Sequence, residues 1–173
     1  FLLVALEKTK TKNKTLWAVA PQSLAPHDRP EITMLFTELI EGKTLGILTQ
    51  PLRVIRSRQV LISLVDEGKR VFELLLKGDE EQIPRYGEIL DCLEQRKDGK
   101  AEEFAFTCFN QSSKLAKLKA AKNSHVAGVD LVVRLASLLY LIGSPKALES
   151  ILAKREVLPS AAFDLVLRTA LPT

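Results

Sequence analysis

The sequence predicts a mainly α-helical protein, a compact bundle of about six helices with a short N-terminal β-hairpin. The chain has 173 residues, the length of one domain with a full hydrophobic core. Its hydrophobic content is 46% but its aromatic content is only 6%, so leucine and alanine dominate, which favours helix packing over a sheet. From residue 30 onward the apolar residues recur every three or four positions, the period of an amphipathic helix.

Residues 1–29 are predicted to form an N-terminal extension, separate from a helical domain at residues 30–173. Two apolar runs, FLLVAL and TLWAVA, flank the polar connector EKTKTKNK. Two such runs predict a β-hairpin, and a mobile basic loop is the alternative for the connector. The proline-rich segment PQSLAPHDRP then marks a linker. FLLVAL is too short for a membrane span and lacks a signal-peptide pattern, so we expect a cytoplasmic protein without a membrane role.

The first two helices of the domain follow from proline positions and apolar spacing. Pro30 suits the first helical position, and one buried stripe follows it, formed by Ile32, Leu35, Phe36, Leu39 and Ile40. After Pro51 a second helix is predicted from about Leu52 to Val65, continuing past Gly68 to about Leu76. Arg53 and Arg56 would project from its polar side, whereas Arg58 would fall on its apolar side.

The middle of the chain predicts an acidic helix and a second, less acidic one. Gly78 ends the preceding helix, and the acidic helix is expected over residues 80–96. Its acids either dock on a basic neighbour or face water. Asp98-Gly99 is a turn signal before a fourth helix over residues 101–110. The lysine-rich segment that follows either continues this helix or forms a separate one after Gln111.

The most apolar stretch, residues 126–142, predicts a central buried helix with Ser124 as its N-cap. Asp130 and Arg134 lie four residues apart on one face, which predicts an internal ion pair between them. The alternative is that Arg134 reaches a ligand or partner. Ser144-Pro145 opens the next helix, to about Arg155, and a last helix is predicted over residues 160–169.

Signals of catalysis are few, and we expect no enzyme, no metal and no cofactor. The motifs HExxH, CxxC, GxSxG, Walker A and GxGxxG do not occur. The two cysteines, Cys92 and Cys108, are interpreted as reduced thiols of a cytoplasmic protein, and a disulfide between them is the alternative. A nucleophile–base pair of Cys108 with His125 is the catalytic alternative. The carboxylates at residues 79–81 and 102–103 indicate solvated helix starts rather than a metal cluster.

Charge is unevenly distributed along the chain. Residues 66–103 contain twelve acids and seven basic residues, whereas residues 111–123 contain four lysines and no acid. Such segregation is typical of a protein with one surface for a polyanion and another for a basic neighbour. Candidate phosphate-backbone contacts are the basic residues Arg53, Arg56, Arg58, Lys114, Lys117, Lys119 and Lys122. The alternative is an ordinary solvated lysine face.

Four features together carry a resemblance to a known family: the helical portion from Pro30, the three arginines of residues 53–58, the segment KLAKLKAAK and the acid–base asymmetry. In these features the chain resembles the small helical subunit of type I CRISPR surveillance complexes. This resemblance implies a non-catalytic subunit of an antiviral ribonucleoprotein. Its copies would stack head to tail beside other subunits. The lysine and arginine face would stabilise a displaced single DNA strand or the backbone of the RNA–DNA heteroduplex.

A second function class stays open at this point. The same helical bundle is compatible with a protein–protein adaptor or scaffold whose lysines contact only water. Alanine or glutamate at Lys114, Lys117 and Lys122 discriminates between the two, because only the nucleic-acid-binding class predicts weaker DNA binding with folding intact.

Overall fold

Three of the helices begin beside a proline, an aspartate or a serine, and the first of them carries its predicted apolar stripe. The computed structural model describes residues 25, 29–42, 45, 51–53, 55, 57–94, 98–120, 125–142, 144–160 and 163–164. Within them lie seven α-helices: α1 (Pro30–Glu41), α2 (Arg58–Leu76), α3 (Ile83–Glu94), α4 (Gly99–Phe109), α5 (Ser112–Leu115), α6 (Gly128–Ile142) and α7 (Pro145–Ala153). Short 3-10 turns occur at Pro51–Arg53, Glu80–Gln82 and Arg155–Val157.

The mainly α fold class is confirmed, because the described residues contain helices and no β-strand. The predicted hairpin at residues 1–20 lies outside the described residues, as does most of the predicted last helix. Contacts divide the chain into two compact units, Phe1–Leu64 and Val65–Thr173, and α2 contributes residues to both. The predicted division into residues 1–29 and 30–173 stays a prediction.

In the first unit, α1 matches its predicted pattern. Pro30 is its first residue, and Gly42 donates its backbone N–H to Glu38 at the end of the helix. Four of the five stripe residues are buried: Ile32, Phe36, Leu39 and Ile40. On a neighbouring face Thr33 donates a hydrogen bond from Oγ1 to Ser57 Oγ (3.1 Å), which fixes the chain just before α2.

The prediction that the second helix starts near Leu52 was wrong. Residues Pro51–Arg53 form one 3-10 turn, and the Ile55 amide just after it donates to the Pro51 carbonyl (3.1 Å). Ile55 is buried there outside any helix, and α2 begins only at Arg58. The burial of Ile55 and the contact of Ser57 with α1 therefore set the start of α2, and neither is visible in a local pattern.

The two glycines of this region have opposite effects on α2. The helix runs through Gly68, where a Cβ would lie 2.8 Å from Cζ of Phe104. Gly68 is thus a close-packing position rather than a helix end. Gly78 has φ +90° and ends the helix as predicted, because the amide of Asp79 bonds back to the Leu74 carbonyl in a Schellman-type arrangement.

In the second unit, α6 is the central helix and packs against α3, α4, α5 and α7. Its fully buried residues form one continuous face: Gly128, Leu131, Val132, Leu135, Ala136, Leu138 and Leu139. The predicted apolar central helix is confirmed, but it starts at Gly128 and not directly after Ser124. The Ala127 amide donates instead to the Asp130 carboxylate (2.7 Å), so Asp130 satisfies an amide at the start of the helix.

Candidate nucleic-acid interface

The lysine-rich segment forms a short separate helix and then a turn. The helix α5 holds only four residues and is separated from α4 by Asn110 and Gln111. Lys117 lies in the turn and Lys119 in irregular chain, so neither shares a helix with Lys114. The start of α6 lies directly against this turn.

This turn is fixed to the rest of the second unit at three points. The Leu115 side chain is fully buried. The Gly128 amide donates to the Leu118 carbonyl (3.0 Å), which ties the turn to α6. The Lys119 amide donates to the Glu80 carboxylate (2.9 Å), which ties it to the 3-10 turn before α3. The backbone that carries the lysines is therefore held in place while their side chains point outward.

Lys114, Lys117 and Lys119 are all exposed. The ammonium of Lys114 donates to Gln111 Oε1 (3.2 Å), a neutral partner that leaves its charge uncompensated. Among the described residues, the acid that bonds this turn is Glu80. Its carboxylate accepts from the backbone amide of Lys119 and not from a lysine ammonium. Lys122 lies outside the described residues. We call the three described residues, Lys114, Lys117 and Lys119, the lysine turn.

The predicted arginine group is a separate candidate. Arg58 is the first residue of α2 and is exposed, so its predicted place on the apolar side of a helix was wrong. Arg53 ends the 3-10 turn, with its side chain outside the described part, and Arg56 is not among the described residues. These arginines belong to the first unit and the lysine turn to the second. They are therefore treated as two sites and not one surface.

The predicted ion pair between Asp130 and Arg134 was wrong. Arg134 bonds instead to the Asp91 carboxylate of α3 and to the Gly87 carbonyl (3.3 Å). Gly87 leaves room for this guanidinium, since a Cβ there would lie 3.6 Å from Nη1. Arg134 thus fastens α6 to α3, and one acid of the acidic helix is used inside the unit.

The cysteines have the properties of structural thiols. Cys92 and Cys108 are both buried, and neither forms a disulfide. Burial raises the pKa of the Cys108 thiol to about 12, and the adjacent Tyr86 hydroxyl lowers it only in part. An activated cysteine nucleophile needs a lowered pKa. The geometry therefore gives no support to a catalytic role for Cys108 with His125, which is exposed.

We predict that neither thiol reacts in the folded protein. With a disulfide reagent at pH 8 and 25 °C, the thiols of the native chain are expected to react negligibly within minutes. The urea-unfolded chain is expected to react at both cysteines, because unfolding exposes both sulfur atoms to the reagent. Rapid labelling of one thiol in native buffer would contradict this assignment.

Other site types are not represented among the described residues. No group of three or more histidine, cysteine or acidic side chains is placed there to hold a metal ion. None of the helices in this part has the length and apolar character to cross a membrane. Comparison of the chain with protein-family models, with curated proteins and with solved structures finds no match. The function is therefore inferred from the geometry of the described residues.

Proposed function

We propose that this protein is a non-catalytic, nucleic-acid-binding subunit of a cytoplasmic ribonucleoprotein of the CRISPR-effector type. Its lysine turn binds the phosphate backbone of a single DNA strand or of an RNA–DNA heteroduplex. The observation that supports this best is the combination of three exposed lysines with a backbone fixed by Leu115, Leu118 and Lys119. Arg58 adds an exposed cation in the other unit.

The chemistry of this turn suits phosphate rather than base recognition. A lysine ammonium is a compact charge on a flexible stem, which contacts phosphate as a point charge without a fixed fork geometry. Phosphate contacts position a protein on a strand but carry no sequence information. Binding is therefore expected to be sequence-independent and to weaken steeply with salt, because each contact releases condensed counterions.

The affinity of one copy is expected to be modest. Three phosphate contacts give a small electrostatic contribution near physiological salt. A subunit repeated along a filament adds these contacts without new chemistry, because each further contact becomes intramolecular. This is the reason for placing the protein in a larger assembly with copies of itself and other subunits.

The test is fluorescence anisotropy of a labelled 30-nucleotide dT strand at several salt concentrations. The wild-type chain is compared with the triple variant Lys114→Gln, Lys117→Gln, Lys119→Gln. We expect the affinity of the variant to fall on the order of 10- to 100-fold near 150 mM salt, and its log–log salt slope to decrease by about 2.

A matched control removes the same charge elsewhere. Lys69, Lys77 and Lys100 are exposed lysines outside the lysine turn, and their triple glutamine variant has the same net charge as the test variant. The control is expected to retain most of the affinity. Equal losses in both variants would indicate non-specific attraction to net charge. Absence of binding even at low salt would favour the adaptor that binds only protein.

A further inference from the structure

A groove runs along the exposed face of α4 in the second unit. Its volume is about 370 Å³, within the range of small-ligand sites. The residues that line it are Gly99, Glu102, Glu103, Phe106, Thr107, Asn110 and Lys146. The Phe106 ring is half-buried and provides an aromatic surface, with the Lys146 ammonium 5.0 Å from its centroid. We call this the Phe106 groove.

The seam between α4 and the α7 region carries two lysines beside this groove. Lys146 lies in the first turn of α7, over Phe106. Lys154 follows the end of α7 and donates from Nζ to the Asn110 carbonyl (3.3 Å), at the C-terminal end of α4. Asn110 is itself part of the groove lining, so both ammonium groups lie at its border.

The seam is continuous with the lysine turn. Lys154 bonds Asn110, and Lys114 bonds the next residue, Gln111, through its side chain (3.2 Å). Two ammonium groups from distant parts of the chain are thereby held on consecutive residues. A row of cations extends from the lysine turn past Lys154 to Lys146 at the groove.

We propose that a single nucleic-acid strand continues from the lysine turn along this seam, with phosphates at Lys154 and Lys146 and one base stacked on Phe106. The inference rests on the proposed function and deepens it, because it adds a base contact to a site otherwise made for phosphates. The ligand is a single strand and not a duplex, since paired bases are not free to stack on a side chain.

The ring is available to a base although Lys146 lies over it. An exposed cation–π contact corresponds to a factor of about 2 to 5 in an equilibrium constant. Stacking of a base on an aromatic side chain corresponds to roughly 5- to 100-fold. A base therefore displaces the exposed ammonium, which then gains a phosphate partner instead of the ring.

The acids of the groove determine where the phosphate backbone of the bound strand ends. Glu102 and Glu103 lie in the first turns of α4, about 12 Å along the helix from Asn110. Their carboxylates repel phosphate, so the backbone path ends at Lys146 and does not continue along the first turn of α4. The Glu102 carboxylate accepts a bond from the Ser144 hydroxyl, which holds it in place between α4 and α7.

The test compares two strands with the same number of phosphates, a labelled dT 30-mer and an abasic 30-mer. Wild-type protein is expected to bind the dT strand roughly 5- to 100-fold more tightly than the abasic strand at equal salt. Phe106→Leu keeps an apolar side chain of similar size and removes the ring. It is expected to lower the affinity for dT towards the abasic value and to leave abasic binding unchanged.

Two further variants complete the design. Lys146→Gln with Lys154→Gln is expected to reduce the salt slope by about 1.4 on both strands, since each lost phosphate contact contributes about 0.7. Leu152→Ala, on the same helix as Lys146 but outside the groove lining, is the control and is expected to change neither affinity. Thermal melting of every variant checks that the fold is retained.

The outcomes separate this inference from the proposed function. Equal affinity of wild-type protein for both strands, unchanged by Phe106→Leu, would overturn the base contact while the lysine turn remains supported. Binding to neither strand at low salt would overturn both. A loss on the abasic strand as large as that on dT in Phe106→Leu would show that Phe106 acts only through the fold.

Discussion

Gly128→Ala is expected to destabilise the protein by roughly 3 kcal/mol or more, one of the largest effects of any single substitution in this chain. A Cβ at this position would lie 1.8 Å from the Leu115 carbonyl oxygen and 2.9 Å from Cβ of Leu118. The first neighbour is backbone and cannot rotate away. The Gly128 amide also bonds the Leu118 carbonyl, so α6 and the lysine turn must separate for a methyl group to fit.

Urea unfolding at 25 °C measures this effect, with Gly99→Ala as the matched control. Gly99 likewise begins a helix, α4, but a Cβ there would meet nothing within 4 Å. Its replacement is expected to change the free energy of unfolding by no more than about 0.5 kcal/mol. If Gly128→Ala proved as stable as Gly99→Ala, the close approach of α6 to the lysine turn would be wrong.

Glu67→Gln is expected to cost about 3–5 kcal/mol at pH 7, because Glu67 is the acid of a buried ion cluster. Its side chain is only 8% exposed and accepts bonds from Arg70 (2.7 and 2.8 Å) and Arg85 (2.8 Å). The Arg85 side chain is 16% exposed, so the neutral amide removes a carboxylate that compensates a nearly buried charge. Urea unfolding at pH 7 measures the loss.

Arg70→Gln is the matched control for this cluster. The Arg70 side chain is 57% exposed, and water replaces its partner when the contact is lost. The expected cost is about 1 kcal/mol or less. A cost for Glu67→Gln no larger than that of Arg70→Gln would show that Arg85 is not dependent on the carboxylate.

The contribution of Glu67 depends on pH in a defined direction. Burial alone raises the pKa of its carboxyl, but the bonds from Arg70 and Arg85 outweigh burial and bring the pKa below its ordinary value of 4.5. The stabilisation is therefore complete above the ordinary pKa and is lost as the pH falls through the lowered one. The difference in unfolding free energy between wild type and Glu67→Gln should be largest above about pH 5 and shrink below it.

Two other acids oppose this trend. Burial raises the pKa of Glu88 and of Glu94, so each contributes stability that is complete below its ordinary pKa and is lost as the pH rises through the raised one. The total stability of the wild type therefore does not isolate Glu67. The comparison with Glu67→Gln does so, because both proteins retain Glu88 and Glu94.

The candidate site was accessible to sequence reasoning only in part. The lysines were identified because a run of cations without acids is a local property of the chain. Lys146, Lys154 and Phe106 were not identified, because the groove joins residues about 40 positions apart. A weak signal existed, since Phe106 and Asn110 lie one helical turn apart at the end of α4, but nothing local showed that α7 packs beside them.

The sequence by itself determined the helical class and the helix ends marked by local chemistry. Pro30 begins α1, Asp98 caps α4 by accepting from the Lys100 amide, and Ser144 caps α7 by accepting from the Ala147 amide. Proline geometry and capping bonds act within a few residues, so the sequence order displays them directly.

Only the tertiary structure decided which charged groups are partners and where two of the helices start. Arg134 pairs with Asp91, 43 residues away, rather than with Asp130 in the adjacent turn. A pair four residues apart on a helix contributes only about 0.2–0.5 kcal/mol, less than satisfying an amide at the start of α6, which Asp130 does. Arg134 therefore pairs with Asp91, which the packing of α3 against α6 places beside it. Local pairs are weak enough that the arrangement of the helices overrides them.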